Sequence, residues 1–106
     1  MKINMLQYSV ITITLLLNSV FSHSQAADIK RGRILHNENC IQCHASMYGG
    51  DGTSIYVRED RRIDSMSALI KQVKRCKNSL GLPWPEDQTD DLIAYLNKTF
   101  YHFKNE

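Results

Sequence analysis

The run Cys40-Ile41-Gln42-Cys43-His44 constrains this chain more than any other stretch. Two cysteines stand three residues apart, and a histidine directly follows the second. A zinc site would need two further ligands at similar spacing, and the chain has neither a second Cys-x-x-Cys nor a His-x-x-x-His. A thioredoxin-like redox pair would sit in a strand–helix–strand pattern, and strand signals are weak throughout. A plain disulfide stays open as an alternative. In an exported chain the pentad reads as the attachment point of one covalent haem c. One helical turn sets Cys40 and Cys43 where their sulfurs reach the two vinyl groups. His44 then stands beneath the iron and supplies an imidazole nitrogen as proximal ligand.

Export is legible at the N-terminus. After Lys2 no charged residue occurs until Asp28, and the gap holds the apolar run "VITITLLL" (Val10 to Leu17) followed by "NSVFSHSQAA". A positive start, a short apolar region and small residues at the end describe a secretory signal peptide. Cleavage after Ala26 puts Ser24 and Ala26 at the two positions that must be small. Cleavage after Ala27 would put Gln25 there, which fits less well. The apolar run is shorter than the roughly 20 residues a membrane span needs, and an uncleaved membrane-anchored N-terminus is the alternative. The expectation is a cleaved signal over residues 1–26, one small periplasmic domain over 27–106, and no second domain.

A domain of that size buries too little apolar surface to be secure without a disulfide, metal or cofactor. Its charge is nearly balanced. Loss of Lys2 leaves the 13 Lys and Arg one fewer, against 11 Asp and Glu, which does not argue for a nucleic-acid partner.

The flanks of the pentad read as helices. "ADIKRGRILHNENC" (27–40) offers Asp28 as an N-cap and carries Ile29, Ile34 and Leu35 ahead of the cysteines. "PEDQTDDLIAYLNKTFYHF" (85–103) opens with Pro85, places acidic residues 86, 87, 90 and 91 at its positive end, and carries an apolar stripe of Leu92, Tyr95, Leu96 and Phe100. Between them lie a glycine-rich loop, "YGGDGT", a basic stretch, "VREDRRID", and a third helical pattern from about Asp64 to Lys77.

These features together resemble the class I cytochromes c. Gly32 lies eight residues before Cys40, where that family has a glycine that lets the first and last helices cross closely. "DLIAYLNK" (91–98) is similar to the family's C-terminal helix signature, with Leu92 and Tyr95 at the packing positions. His36 falls where the family usually has an aromatic and so reads as a packing residue against the last helix. The resemblance covers roughly residues 28 to 100. It implies an all-α fold of three to four helices around one covalently attached haem, and electron transfer rather than enzymatic turnover. One departure stands out. No proline follows His44 before Pro83, so the loop proline whose carbonyl orients the proximal histidine is missing, and a backbone carbonyl in the 50s is expected to take over.

The sixth iron ligand is the open question. The loop before the last helix, "CKNSLGLPWPEDQ", holds no methionine. Met47 follows His44 too closely to reach the opposite face, and Met66 reads as a packing residue, though it remains the alternative donor. Cys76 extends the inward face of Met66, Leu69, Ile70 and Val73 at helical spacing. It stands nineteen residues before Tyr95, near the offset of the family's methionine ligand. Leu82, followed by Pro83, competes for that slot and would leave the iron open. A spare thiol in an oxidising compartment tends to be oxidised or paired unless it is protected. Lys74, Arg75 and Lys77 flank it, and positive neighbours favour a thiolate. The competing readings of Cys76 are a small buried hydrophobe, an intermolecular disulfide and a redox-active thiol.

Thiolate ligation stabilises ferric iron and implies a low potential. The pattern then resembles small monohaem cytochromes with His/Cys ligation, some of which form heterodimers. Electron transfer to a redox protein partner is the expectation, with a second small cytochrome subunit or a homodimer also open. The alternative is a sensor or binder of NO or CO, with Cys76 displaceable. Arg58, Arg61 and Arg62 read either as partners of haem propionates or as a solvated loop with local Arg–Asp pairs. Trp84 reads as haem-edge or core packing, and His102 as a surface residue. Tyr48, Tyr56 and Tyr101 carry no assignment.

Overall fold

Aspartate 28 ends an extended segment and turns it into a helix. Its backbone is extended (φ −88°, ψ 98°), and its carboxylate accepts from the Arg31 N–H at 3.0 Å, satisfying one of the donors a helix start leaves free. A computed structural model describes residues 26–104, and among these the chain is helical with no strand. The export signal expected over 1–26 lies, but for Ala26, outside the described residues. No helix among the described residues is long and apolar enough to cross a membrane.

Five α-helices follow in order: α1 (Ile29–Asn39), α2 (Ile41–Tyr48), α3 (Ser54–Val57), α4 (Met66–Ser79) and α5 (Glu86–Leu96). A π-helical turn, Asn97–Tyr101, extends α5. The all-α architecture expected from the sequence is therefore present. The predicted third helix begins at Met66, with Ser65 as its N-cap accepting from the Ala68 N–H at 3.1 Å. It ends in a Schellman motif. Leu82 N–H donates to the Lys77 carbonyl and Gly81 N–H to that of Asn78, both at 3.1 Å, with Gly81 at φ 65° supplying the left-handed residue.

The frame is the crossing of α1 with α5, the most extensive helix pairing in the fold. Gly32 makes it possible, because a β-carbon there would lie 2.8 Å from Cβ of Tyr95 and would collide with the backbone of Asp91. Asp91 is buried in the same crossing. It accepts from the Asp28 N–H at 2.7 Å and pairs with the Arg31 guanidinium, which ties the start of α1 to the middle of α5. Leu92, Ile93 and Leu96 of α5 close on Leu69 and Val73 of α4, with Tyr56 and Tyr101 completing the core. Each buried aliphatic side chain contributes on the order of 1.5–3 kcal/mol through removal from water. Lys74 of α4 reaches Glu86 of α5 at 3.3 Å on the surface.

Candidate functional site

The pentad sits at a break between two helices. Cys40 ends α1, its N–H donating to the His36 carbonyl at 2.9 Å, and its own carbonyl accepts from the His44 N–H at 3.2 Å as α2 begins. Cys43 and His44 therefore lie in the first turn of α2, one helical turn from Cys40. The Cys43 thiol is exposed, and that of Cys40 is half-buried. Burial, then the nearby sulfurs of Cys76 and Cys43, push the Cys40 thiol up to about 11.

The glycine loop after α2 folds back onto His44. Gly52 adopts φ 81°, and a β-carbon there would stand 2.6 Å from the Ala45 nitrogen and 2.9 Å from Cβ of His44, so only glycine permits this approach. Asp51 then closes an Asx turn, accepting from the Thr53 N–H at 3.0 Å and the Thr53 hydroxyl at 2.6 Å. Those bonds hold its carboxyl below the usual range. The turn launches α3, which delivers Tyr56.

Tyr56 is the centre of the site. Its hydroxyl lies 2.8 Å from Nδ1 of His44 and 2.8 Å from Nε2 of His36. His36 is 1 % exposed, and its Nδ1 faces Oδ1 of Asn37 at 3.4 Å. Burial pushes the pKa of both histidines down and that of the Tyr56 phenol up, with the nearby Cys40 adding to the rise. All three side chains are thus held neutral. The ring of His36 also packs on Tyr95 and Phe100, with centroids 5.4 and 6.3 Å away, which bears out the expected contact with the last helix. The expected backbone carbonyl in the 50s is corrected here: a side chain, the Tyr56 hydroxyl, engages the free nitrogen of His44. Position in sequence carries no sign of this, because twelve residues and a three-glycine loop separate the two partners.

Arg61 explains how α3 is held. Its guanidinium donates to the Tyr56 carbonyl at 3.0 Å and stacks over the rings of Tyr101 and Phe103, 5.0 and 5.6 Å from their centroids. Arg58 pairs with Asp60 at 3.3 Å and covers Tyr48. Both arginines are engaged within the protein, Arg58 in the local Arg–Asp pair expected of it and Arg61 by a backbone carbonyl and two rings. Trp84 packs at the edge of the core, and His102 is exposed in the left-handed region, φ 59°.

A thiolate at Cys76 would add to the rise of the Cys40 thiol and the Tyr56 phenol. The Gln72 amide, one turn earlier in α4, donates to the Cys76 sulfur at 3.3 Å. Met66 lines a groove of about 530 Å3 between α4 and α5 with Ile70, Lys74, Glu86, Asp90 and Ile93, and the walls of that groove include none of Cys40, His44 or Cys76.

The donor set fits a haem better than a bare ion. Among the described residues no three His, Cys, Asp or Glu side chains converge as a metal cluster. A porphyrin brings four of its iron's ligands and asks the protein for only one or two more. His44 has its Nδ1 engaged by the Tyr56 hydroxyl, which leaves Nε2 as the nitrogen that could meet a haem iron. Comparison with known protein families, with curated proteins and with solved structures finds no match to this chain.

Proposed function

We propose that this chain is an exported monohaem c-type cytochrome that carries electrons, with Cys40 and Cys43 as the covalent attachment points and His44 as the proximal iron ligand. The observation that carries the reading is the arrangement of those three residues on one helical turn, with His44 held by a hydrogen bond through Nδ1. A bound haem would supply one-electron redox chemistry at its iron. The chain's own residues would fix its place: α1 and α5 form the frame, Gly52 packs the loop onto His44, and Tyr56 sets the imidazole.

Cys76 is the sixth ligand in this proposal. Its support is its electrostatic influence on the Cys40 thiol and the Gln72 amide donating to it, a bond that strengthens as the sulfur gains negative charge. Met66 is the weaker donor because it faces the α4–α5 groove. A thiolate on the iron favours the ferric state and a low potential, suited to a low-potential redox protein as partner.

Production in a host that matures c-type cytochromes tests the reading directly. The mature chain should gain the mass of one haem that survives denaturation, and Cys40→Ser with Cys43→Ser should abolish that gain. Ferric and ferrous spectra of wild type and Cys76→Ser should then differ. A ferric band of sulfur-to-iron type characteristic of methionine would refute thiolate ligation, as would identical spectra for the two proteins. Ready uptake of CO or NO by the ferrous wild type, with release of Cys76, would favour a gas-binding role over electron transfer.

A further inference from the structure

The three groups that meet at Tyr56 form a hydrogen-bonded chain with a direction. Oδ1 of Asn37 is an acceptor only, so the geometry points to a proton on the nitrogen facing it at 3.4 Å, Nδ1 of His36. In a neutral imidazole the other nitrogen is then an acceptor, and Nε2 of His36 takes the proton of the Tyr56 hydroxyl at 2.8 Å. The phenol oxygen, having donated in that direction, accepts from Nδ1 of His44 at 2.8 Å. His44 is left with its proton on Nδ1 and a lone pair on Nε2. With the chain reversed, Nε2 of His44 would carry the proton and could bind no metal.

Resting on the haem reading above, we propose that Tyr56 and His36 are positioning residues. Together they fix His44 in the Nδ1–H tautomer, and they set how strongly it donates to iron through the phenol's acceptance of that proton. The arrangement is built into the core. His36 and Tyr56 are 1 % and 6 % exposed, and both rings are walled by Phe100, with Tyr95 adding to the wall around His36 and Tyr101 to that around Tyr56. Neither side chain can turn away without opening a cavity, so packing holds both rings in the chain while the Asn37 acceptor sets its direction. A hydrogen bond accepted from the outer nitrogen of a ligating imidazole increases its donor strength and stabilises the more oxidised metal. Loss of the phenol should therefore raise the reduction potential.

The test uses the haem-loaded protein in four forms: wild type, Tyr56→Phe, His36→Leu and His36→Gln. Two readouts apply, the reduction potential and the exchange protection of the His44 Nδ1–H proton by NMR in the ferrous state. Tyr56→Phe should shift the potential upward and abolish the protection. His36→Leu should shift it in the same direction by less. His36→Gln should restore it towards wild type, because the glutamine oxygen can accept the phenol proton. Should Tyr56→Phe fail to mature, the Leu and Gln variants decide, since lost packing alone would not make Gln recover what Leu loses. An unchanged potential with a still-protected proton in Tyr56→Phe overturns the proposal while leaving the haem reading intact, as does equality of the Leu and Gln variants. A wild-type chain that binds no haem overturns both.

Discussion

Gly32 of α1 and Asp91 of α5 meet backbone to backbone, with no room for a β-carbon between them. Gly32→Ala should therefore separate the two helices that frame the fold. Alanine is the better helix former by about 1 kcal/mol, so a purely local effect would stabilise the protein. Overpacking costs of about 1–3 kcal/mol or more should outweigh that gain. The expected outcome is a lower melting temperature for Gly32→Ala, and an unchanged or raised one would show that the helices do not cross here.

Among the described residues Asp91 should be the most sensitive carboxylate. It is 2 % exposed and holds both the Asp28 N–H and the Arg31 guanidinium. Asp91→Asn keeps an acceptor for the backbone but loses the charge facing Arg31, whereas Asp91→Ala loses both bonds and leaves a buried donor unsatisfied. Thermal unfolding should rank wild type above Asn and Asn above Ala. Asp87→Asn, at the exposed end of the same arginine, should change little.

Acidification should destabilise the folded chain through His36. Burial holds its pKa below the ordinary 6.5, so on lowering the pH the unfolded chain takes up a proton before the folded one does. The stabilisation is complete above pH 6.5 and is lost as the pH falls towards the lowered folded value. Melting temperature measured from about pH 7 down to about pH 5 should fall more steeply for wild type than for His36→Gln. Parallel curves would mean that His36 titrates alike in the folded and unfolded chains.

The two cysteines of the pentad should differ in reactivity before haem attachment. The exposed Cys43 should be alkylated first, while Cys40, pushed up to about 11, should lag by about tenfold or more at mildly alkaline pH because the thiolate is the reactive form. Peptide mass mapping of the haem-free chain after brief treatment with iodoacetamide reads the order. Equal rates would place Cys40 in solvent.

What could be read from the sequence was local. The helical patterns that begin near Asp28, Asp64 and Pro85 depend on nearest neighbours, and Asp28 caps its helix as its residue type predicts. Gly32 was legible because its spacing from Cys40 carries a known likeness, and His36 because it falls where the same likeness places an aromatic; both are buried on α1. Tyr56 was not legible. It belongs to a four-residue helix too short to show a period, and its role depends on partners at both His36 and His44. Arg61 escaped for the same reason, since a basic loop residue gives no hint that two aromatic rings from the C-terminus will cover it. Close pairing along the chain is visible in residue order, whereas a contact made by loop closure is visible only once the loop has closed.

The wide turn Asn97–Tyr101 has one more effect. Along α5 the core side chains recur four apart, at Leu92 and Leu96, and an uninterrupted helix would carry that row on to Phe100. Five residues in the last turn bring Tyr101 inward as well, so two adjacent aromatics grip the Tyr56 ring, at 4.9 and 5.9 Å between centroids. The amide of Asn97 then clasps Phe103 through both its oxygen and its nitrogen, at 2.8 and 3.0 Å. Deleting a single residue from this turn would rotate every side chain beyond it by about 100°. The end of the chain is thus a vice whose jaws are set by a count, and the part it clamps is the phenol beside His44.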